Sequence, residues 1–160
     1  MQRYCQFESP LGLITIQANE QGILGLWFAE THPEPLASLG ECDADFPLLQ
    51  TAADQVMGYF AGKRTTFTLP IAAQGTPFQQ RVWQALQTIP YGESWSYQDL
   101  ANAIDNPKAT RAVGLANSKN PISIIVPCHR VIGKNGKLTG YSGGLERKQA
   151  LLKLEGITIG

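Results

Sequence analysis

The 160-residue sequence contains few charged residues, few cysteines and no long hydrophobic run. Only 16% of its residues are charged while 43% are hydrophobic, so the chain can bury a core and fold alone. Its three cysteines are too few and too widely spaced for a disulfide framework. No stretch reaches the roughly 18 apolar residues of a membrane helix, and the N-terminus lacks a secretory signal pattern. We therefore expect a cytoplasmic protein, or a nuclear one in a eukaryote, with no membrane partner.

The net charge is zero, but the charges are distributed unevenly along the chain. Residues 1–80 carry 3 Lys and Arg against 8 Asp and Glu, whereas residues 81–160 carry 10 against 5. The two halves therefore have charges of -5 and +5. A basic second half is compatible with a surface that attracts phosphates, although charge alone predicts neither a sequence preference nor a reaction.

The first half alternates between β-rich stretches and turn residues, which predicts antiparallel strands joined by tight turns. The strands are expected at about 3–7, 13–18 and 23–28, with another at 67–71. Apolar residues at helical spacing predict a helix over 47–60. Gly and Pro within 71–78 (IAAQGTPF) indicate a domain boundary. We thus predict an α+β protein, with a small supporting antiparallel-sheet domain over 1–74 and a mainly helical domain over 75–160.

The second half predicts three helices before the cysteine motif, the first of them over about 77–89. Ser96 and Asp99 have the spacing of a capping box and start the second helix. Asn106-Pro107 supplies an N-cap and a first-position proline for a third helix that runs to about Asn117. Two short helices joined by two or three residues form a helix-turn-helix, although most such pairs merely pack against each other.

The third of these helices combines small side chains with one long cation. Ala109, Thr110, Ala112 and Gly114 are small, and Arg111 stands among them. A glycine in the middle of a helix costs about 1 kcal/mol relative to alanine, which favours a close approach to another surface. Such a helix can lie against a groove.

Cys128 and His129 follow a short β-branched run at 123–126 (SIIV), which Pro127 ends. Neighbouring side chains in an extended segment point to opposite faces, so these two meet only if the chain turns sharply. A free thiol has a pKa of about 8.5, and a nearby imidazole can accept its proton to give a thiolate. The pair predicts a nucleophilic cysteine, whereas a lone cysteine is more often a small buried hydrophobic residue.

An imidazolium needs a carboxylate on its other nitrogen, and Glu155 is a candidate. It closes a predicted helix over 145–155, where the helix dipole disfavours it by about 0.3 to 1 kcal/mol. Pairing with His129 would compensate, although a solvated surface glutamate is equally consistent. Asn120 belongs to an Asn-Pro turn, and its amide could instead orient the thiol. The loop 140–144 (GYSGG) could cover a site beside the cysteine.

The segment 127–131 (PCHRV) resembles the signature of the O6-alkylguanine-DNA alkyltransferases. Further motifs stand at the family's spacing from the cysteine: 106–109, 111–114, 120–121, 140–144 and 154–156. The resemblance covers about residues 75–156, and the first half only through its strand-rich layout. It implies repair of DNA by direct damage reversal. After base flipping, the alkyl group of O6-alkylguanine moves irreversibly to the protein's cysteine, and repair of O4-alkylthymine is left open.

The resemblance also implies a role for each residue of the reaction. Cys128 is the alkyl acceptor, His129 is its base through a bridging water, and Glu155 orients His129. Asn120 braces the active-site turn, and Tyr97 crowds the DNA backbone and donates a proton to the departing guanine. The transfer needs no cofactor, and each molecule acts once because a thioether is not hydrolysed.

Towards DNA, the resemblance implies binding of the minor groove of double-stranded DNA by a protein that acts as a monomer. Arg111 fills the stack after the nucleotide flips out. The groove-binding helix contributes Ala109, Thr110, Ala112 and Gly114. The base is bound by Val131, Tyr141, Ser142 and Gly143, with the backbone carbonyl of Cys128 as a further acceptor.

Three alternatives remain open. A non-catalytic damage-binding relative would lack the cysteine, a cysteine hydrolase would turn over, and a plain helix-turn-helix regulator would need neither Cys128 nor Glu155. No metal site is predicted, because Cys5, His32 and Cys42 are at most three ligands with no standard zinc spacing. Since the chain lacks the four-cysteine domain of the adaptive-response members, we expect the free-standing form.

Overall fold

The structure, a computed structural model, describes residues 1–31 and 35–157. The chain divides into two compact units, Met1–Gln74 and a second that begins at Gly75. The strands within the described residues are β1 (Arg3–Ser9), β2 (Gly12–Asn19), β3 (Gly22–Phe28) and β4 (Glu41–Cys42). The α-helices there are α1 (Pro47–Phe60), α2 (Pro77–Leu86), α3 (Tyr97–Ala103), α4 (Thr110–Ser118) and α5 (Leu145–Leu154). The same described ranges also contain three 3-10 helices, at Leu36–Leu39, Cys128–Arg130 and Lys134–Gly136.

The first unit is built on a four-stranded sheet of order β3-β2-β1-β4. The three predicted strands and their antiparallel pairing are confirmed. The sheet is nevertheless mixed, because β4 pairs in parallel with β1. With only two residues, β4 is too short to produce an alternating pattern that a sequence could reveal. Helix α1, which has the predicted bounds, packs against β1 and β2.

The strand predicted at 67–71 is wrong, since only Ile71 bridges the sheet, in parallel with Ile23. Pro70 has no N–H and cannot continue a ladder. The side chain of Gln55 binds this segment instead, because its Oε1 accepts from the Thr68 N–H at 3.0 Å and its Nε2 donates to Thr68 Oγ1 at 3.0 Å. The buried side chain of Gln55 thus makes hydrogen bonds to this segment that a neighbouring strand would otherwise make.

The second unit is mainly helical, with α2 packed against α3 and α4. Both α2 and α3 begin with a capping box, at Thr76 and at Ser96, and the one predicted at Ser96 is confirmed. The indole Nε1 of Trp83 donates to the carbonyl of Ala116 at 2.9 Å, which ties α2 to α4. None of the helices in the described ranges has both the length and the apolar character needed to cross a membrane.

Helix α4 begins at Thr110, so the predicted start at Pro107 is wrong. The N–H of Ala109 donates to the carbonyl of Asn106 at 3.0 Å, which closes a turn with Pro107 at its second position. The fixed φ of proline suits that position as well as it suits the start of a helix. Asp105, with φ 57°, reverses the chain before the turn. The connection between α3 and α4 is therefore longer than the two or three residues predicted.

Candidate active site

The segment before Cys128 is a compact turn, and the extended run expected at 123–126 is wrong. Ile124 has a φ of 71°, and the N–H of Val126 donates to the carbonyl of Ile122 at 3.0 Å. The buried amide of Asn120 holds this turn: its Nδ2 donates to the carbonyls of Val126 at 2.8 Å and Ile122 at 3.3 Å, and its Oδ1 accepts from the Ile122 N–H at 3.0 Å. One side chain thus satisfies three buried backbone groups.

Cys128 is 5% exposed and starts the 3-10 helix Cys128–Arg130. Burial raises the pKa of its thiol, while the Asn120 side chain and the charge of Lys148 act in the opposite direction. Burial has the larger effect, so the resting cysteine is a thiol and needs a base before it can act as a nucleophile.

His129 and Glu155 form a fully buried pair, in which His129 Nε2 and Glu155 Oε2 are 2.7 Å apart. Because a carboxylate only accepts, Nε2 carries the hydrogen and Nδ1 is the basic nitrogen. Nδ1 is buried and has no hydrogen-bond partner among the described residues. Burial lowers the pKa of His129 against the opposing effect of Glu155, so the ring is neutral and can accept a proton.

The same carboxylate binds Arg130, a residue that we did not predict in the site. Arg130 Nε donates to Glu155 Oε1 at 2.8 Å and its Nη2 donates to Oε2 at 3.1 Å, while Nη1 donates to the carbonyl of Ile89 at 2.7 Å. The N–H of Gly92 also donates to Glu155 Oε1, at 3.2 Å. The unfavourable interaction of Glu155 with the helix dipole is therefore compensated by an arginine as well as by a histidine.

Two more residues that we did not predict are Lys148, which interacts electrostatically with Cys128, and Thr139, which contacts Lys148. Lys148 of α5 is fully buried, and its Nζ donates to Val131 O at 2.7 Å, Thr139 O at 3.2 Å and Thr139 Oγ1 at 3.4 Å. Burial lowers its pKa to about 8, against the effect of a Cys128 thiolate. The hydroxyls of Tyr97 and Thr139 are 2.6 Å apart. A lysine in a helix is usually exposed, so no sequence signal indicated this burial.

Helix α4 presents part of its predicted binding face to solvent. Arg111 and Ala112 are exposed, while Ala109, Thr110 and Gly114 are half-buried. A Cβ on Gly114 would lie 3.5 Å from the Tyr97 ring. The neighbour that the glycine approaches inside the fold is therefore Tyr97. Leu115, which we did not predict, is 63% exposed on the same helix.

The loop 140–144 lies close enough to Cys128 for the two to interact. Burial raises the pKa of Tyr141 well above its usual range, and the charge of a Cys128 thiolate adds to the effect. Ser142 is exposed, with its hydroxyl 3.4 Å from that of Ser123. Gly143 is buried and its carbonyl accepts from Arg147 Nη1 at 3.0 Å.

The two carbonyls expected to contact a base already accept hydrogen bonds within the chain. Val131 O accepts from Lys148, and Cys128 O accepts from the Val131 N–H at 3.2 Å. Each carbonyl oxygen keeps a second lone pair for a ligand.

The other two cysteines of the chain belong to the first unit. Cys5 is buried and Cys42 is exposed, and His32 lies outside the described residues. Within residues 1–31 and 35–157, the structure contains no group of three or more His, Cys, Asp and Glu side chains that could hold a metal ion.

Two family models match the chain. The 6-O-methylguanine DNA methyltransferase DNA binding domain matches residues 77–157, and the ribonuclease-like domain of 6-O-methylguanine DNA methyltransferase matches residues 3–73. A methylated-DNA–protein-cysteine methyltransferase of Methanosarcina acetivorans is 50% identical over 155 residues, which cover 96% of this chain and 97% of the relative. A constitutive one of Bacillus subtilis is 48% identical over 163 residues, which cover 99% and 98%.

Solved structures agree with these matches. The crystal structure of Mycobacterium tuberculosis O6-methylguanine methyltransferase superimposes with a TM-score of 0.88 at 49% identity, over 97% of this chain and 93% of that one. Mycobacterium tuberculosis OGT in complex with DNA gives a TM-score of 0.85 at 48% identity, over 96% and 93%.

Proposed function

The chain belongs to the 6-O-methylguanine DNA methyltransferase family, and we propose that it repairs DNA by moving the alkyl group of O6-alkylguanine irreversibly onto its own Cys128. The activity of the family, methyl transfer from DNA to a protein cysteine, is the activity of this chain. The observation that carries the assignment to Cys128 is the buried pair formed by the next residue, His129, with Glu155. In this pair His129 is neutral and hydrogen-bonded to the carboxylate.

The first step of the proposed reaction is removal of the thiol proton. His129 accepts it at Nδ1, the ring nitrogen that does not face Glu155. No hydrogen bond joins Cys128 and His129 in the described part of the chain, so we assign the transfer to a bridging water. The imidazolium that forms is stabilised by the carboxylate of Glu155, which is held in turn by Arg130.

In the second step, the thiolate of Cys128 attacks the alkyl carbon, a C–S bond forms and the C–O6 bond breaks. The electron pair of that bond passes to guanine, and Tyr97 donates the proton that neutralises it. Asn120 acts as a positioning residue, because it holds the turn that presents the sulfur. The product is a thioether with no carbonyl for water to attack, so each molecule reacts once.

An alkyl group on O6 is enclosed in the duplex, so the damaged nucleotide must leave the stack at a cost of a few kcal/mol. We propose that α4 binds the minor groove, with Ala109, Thr110, Ala112 and Gly114 at the surface of contact. Its small side chains support a close approach, and the exposed Arg111 is free to fill the gap in the stack. The protein acts on the duplex as a monomer.

We assign recognition of the flipped base to four residues: Val131, Tyr141, Ser142 and Gly143. The second lone pair of the Val131 carbonyl accepts from the exocyclic amine of guanine, as does that of Cys128. The loop 140–144 contacts the base from the other side, which is supported by the electrostatic interaction of Tyr141 with Cys128.

The proposed site lies wholly in the second unit, which begins at Gly75. We therefore assign DNA binding and alkyl transfer to a domain over 75–160, and structural support to a domain over 1–74. The three cysteines are free, which supports action in a reducing compartment, the cytoplasm or, in a eukaryote, the nucleus.

The test is the intact mass of the protein after incubation with a duplex oligonucleotide that contains O6-methylguanine. We expect a gain of one methylene group, stopping at one equivalent, and none for Cys128→Ala. Cys42→Ser, which removes an exposed cysteine, should behave as the wild type. Tight binding without a mass gain would indicate a damage-binding protein, and release of product with turnover would indicate a hydrolase.

A further inference from the structure

Thr139 joins two groups of the proposed site that come from different helices. Its hydroxyl lies 2.6 Å from that of Tyr97, at the start of α3, and 3.4 Å from Nζ of Lys148 in α5. Its carbonyl also accepts from Lys148 Nζ, at 3.2 Å. A single loop residue therefore connects the group that we propose as proton donor to a buried cation.

The buried cation has no acidic partner in the part of the chain that the structure describes. Lys148 is 0% exposed, and its ammonium donates only to the carbonyls of Val131 and Thr139 and to the Thr139 hydroxyl. A buried charge normally requires an opposite charge. A negative charge at Cys128 raises the pKa of Lys148, so formation of the thiolate favours the charged form of the lysine. The charge of Lys148 thus depends on the state of the nucleophile.

The geometry also gives the hydroxyl of Thr139 a direction. A hydroxyl has one hydrogen and two lone pairs. Since the ammonium of Lys148 only donates, Thr139 Oγ1 accepts from it and can direct its own hydrogen to the oxygen of Tyr97. The hydrogen of Tyr97 is then left to point away from Thr139, towards a bound base.

We propose that Thr139 relays a proton from Lys148 to Tyr97 as Tyr97 protonates the departing guanine. This inference rests on the proposed function, in which Tyr97 is the proton donor. When the C–S bond forms and the C–O6 bond breaks, the thiolate becomes a neutral thioether and guanine takes the proton of Tyr97. Tyr97 takes the hydrogen of Thr139, and Thr139 takes one from Lys148, which becomes a neutral amine. The charges of the thiolate and of the ammonium disappear together, while the imidazolium of His129 keeps the carboxylate of Glu155 as its partner.

The deciding variant is Thr139→Val, which replaces the hydroxyl by a methyl group of similar size and keeps the backbone carbonyl that holds Lys148. General acid catalysis contributes about 10²- to 10⁴-fold, so we expect methyl transfer from duplex DNA to slow by at least about tenfold. Thr139→Ser keeps the hydroxyl and should restore most of the rate. Thr88→Val makes the same chemical change at an exposed position of the second unit and should have no effect.

A second reaction separates a proton relay from a structural role. Alkylation of Cys128 by iodoacetamide expels iodide, which needs no proton, and so Thr139→Val should react within about twofold of the wild type. The wild-type rate of DNA methyl transfer should also fall above about pH 8, where Lys148 loses its proton, and this decline should be weaker in Thr139→Val. Lys148 interacts electrostatically with Cys128 and His129 of the 3-10 helix, and its partner Thr139 contacts Tyr97 of α3. Both reactions are therefore followed over the same pH range, because a change at Cys128 or His129 would alter both.

Three results would overturn the relay: unchanged methyl transfer in Thr139→Val, an equal loss in both reactions, or a Thr139→Ser variant as slow as Thr139→Val. A wild-type protein that gains no methyl group at all would contradict the proposed function itself. The two failures are therefore distinguishable.

Discussion

Arg130 and Glu155 are joined by two hydrogen bonds, Nε to Oε1 at 2.8 Å and Nη2 to Oε2 at 3.1 Å, while the same carboxylate accepts from His129 at 2.7 Å. The carboxylate that orients the proposed base is thus itself fixed by a planar cation. Two-point pairing of this kind is stronger and more directional than a single contact. The position of His129 therefore depends on a residue that takes no part in the proton transfer.

Replacement of Glu155 by Gln is expected to affect both stability and reactivity. An amide cannot balance the buried charge of Arg130, and loss of one partner of a buried ion pair costs about 3 to 5 kcal/mol. Urea unfolding measures this loss. In the folded fraction of Glu155→Gln, the reaction of Cys128 with iodoacetamide should also slow, because His129 loses the carboxylate that orients it. Glu146→Gln, an exposed acid in the first turn of α5, is the control, and comparable behaviour of both variants would contradict the assignment.

Replacement of Asn120 by Ala tests the turn that carries the cysteine. It leaves the buried Ile122 N–H without a partner, and it removes one of the two hydrogen bonds that the carbonyls of Ile122 and Val126 each accept. The unsatisfied N–H costs about 1 to 3 kcal/mol and each lost hydrogen bond to a carbonyl about 0.5 to 1.5 kcal/mol, so after partial relaxation we expect a total loss of about 2 to 4 kcal/mol. The pKa of the Cys128 thiol should rise further, because the Asn120 side chain lowers it.

The two effects of Asn120→Ala are measured by urea unfolding and by the pH dependence of thiol alkylation. Asn102→Ala, at an exposed position of α3, should change the free energy of unfolding by less than about 0.5 kcal/mol. An unshifted alkylation profile in Asn120→Ala would leave Asn120 with a role in folding alone.

Replacement of Gly114 by Ala separates the fold from DNA binding. The new methyl group would meet the Tyr97 ring at 3.5 Å, an ordinary contact, and alanine favours a helix by about 1 kcal/mol over glycine. We expect the melting temperature to rise. Gly58→Ala in α1, where the nearest atom is 3.7 Å away, should stabilise similarly. If α4 lies against the minor groove, only Gly114→Ala weakens binding to duplex DNA, so equal affinities of the two variants would argue against that contact.

The buried His129 predicts a loss of stability in acid. Its pKa is lowered in the folded chain, so below the usual value of about 6.5 the unfolded chain binds a proton that the folded chain refuses. The free energy of unfolding should therefore decrease as the pH falls from about 7.5 to about 5.5. Urea titrations across this range measure the slope. The chain has one other histidine, His32. If the slope vanished in His32→Gln, the pH dependence would come from His32 and the prediction for His129 would be wrong.

Local signals in the sequence were sufficient for much of the fold. The capping box at Ser96 uses Asp99, and the bounds of α1 follow from apolar spacing and from a proline at its first position. Such features depend on residues a few positions apart, so they can be identified without a tertiary structure. The turn at Pro107 was misassigned because proline suits a turn and a helix start equally well.

The sequence by itself determined the α+β class, the family and, through a collinear set of motifs around Cys128, the residues proposed for the reaction. Only the tertiary structure decided that Arg130 and Lys148 are buried beside them. Arg130 meets Glu155 across 25 positions of sequence, and Lys148 meets Val131 across 17. Both cations would be exposed in an isolated segment, because a charged side chain leaves water only where distant parts of the chain supply its hydrogen-bond partners.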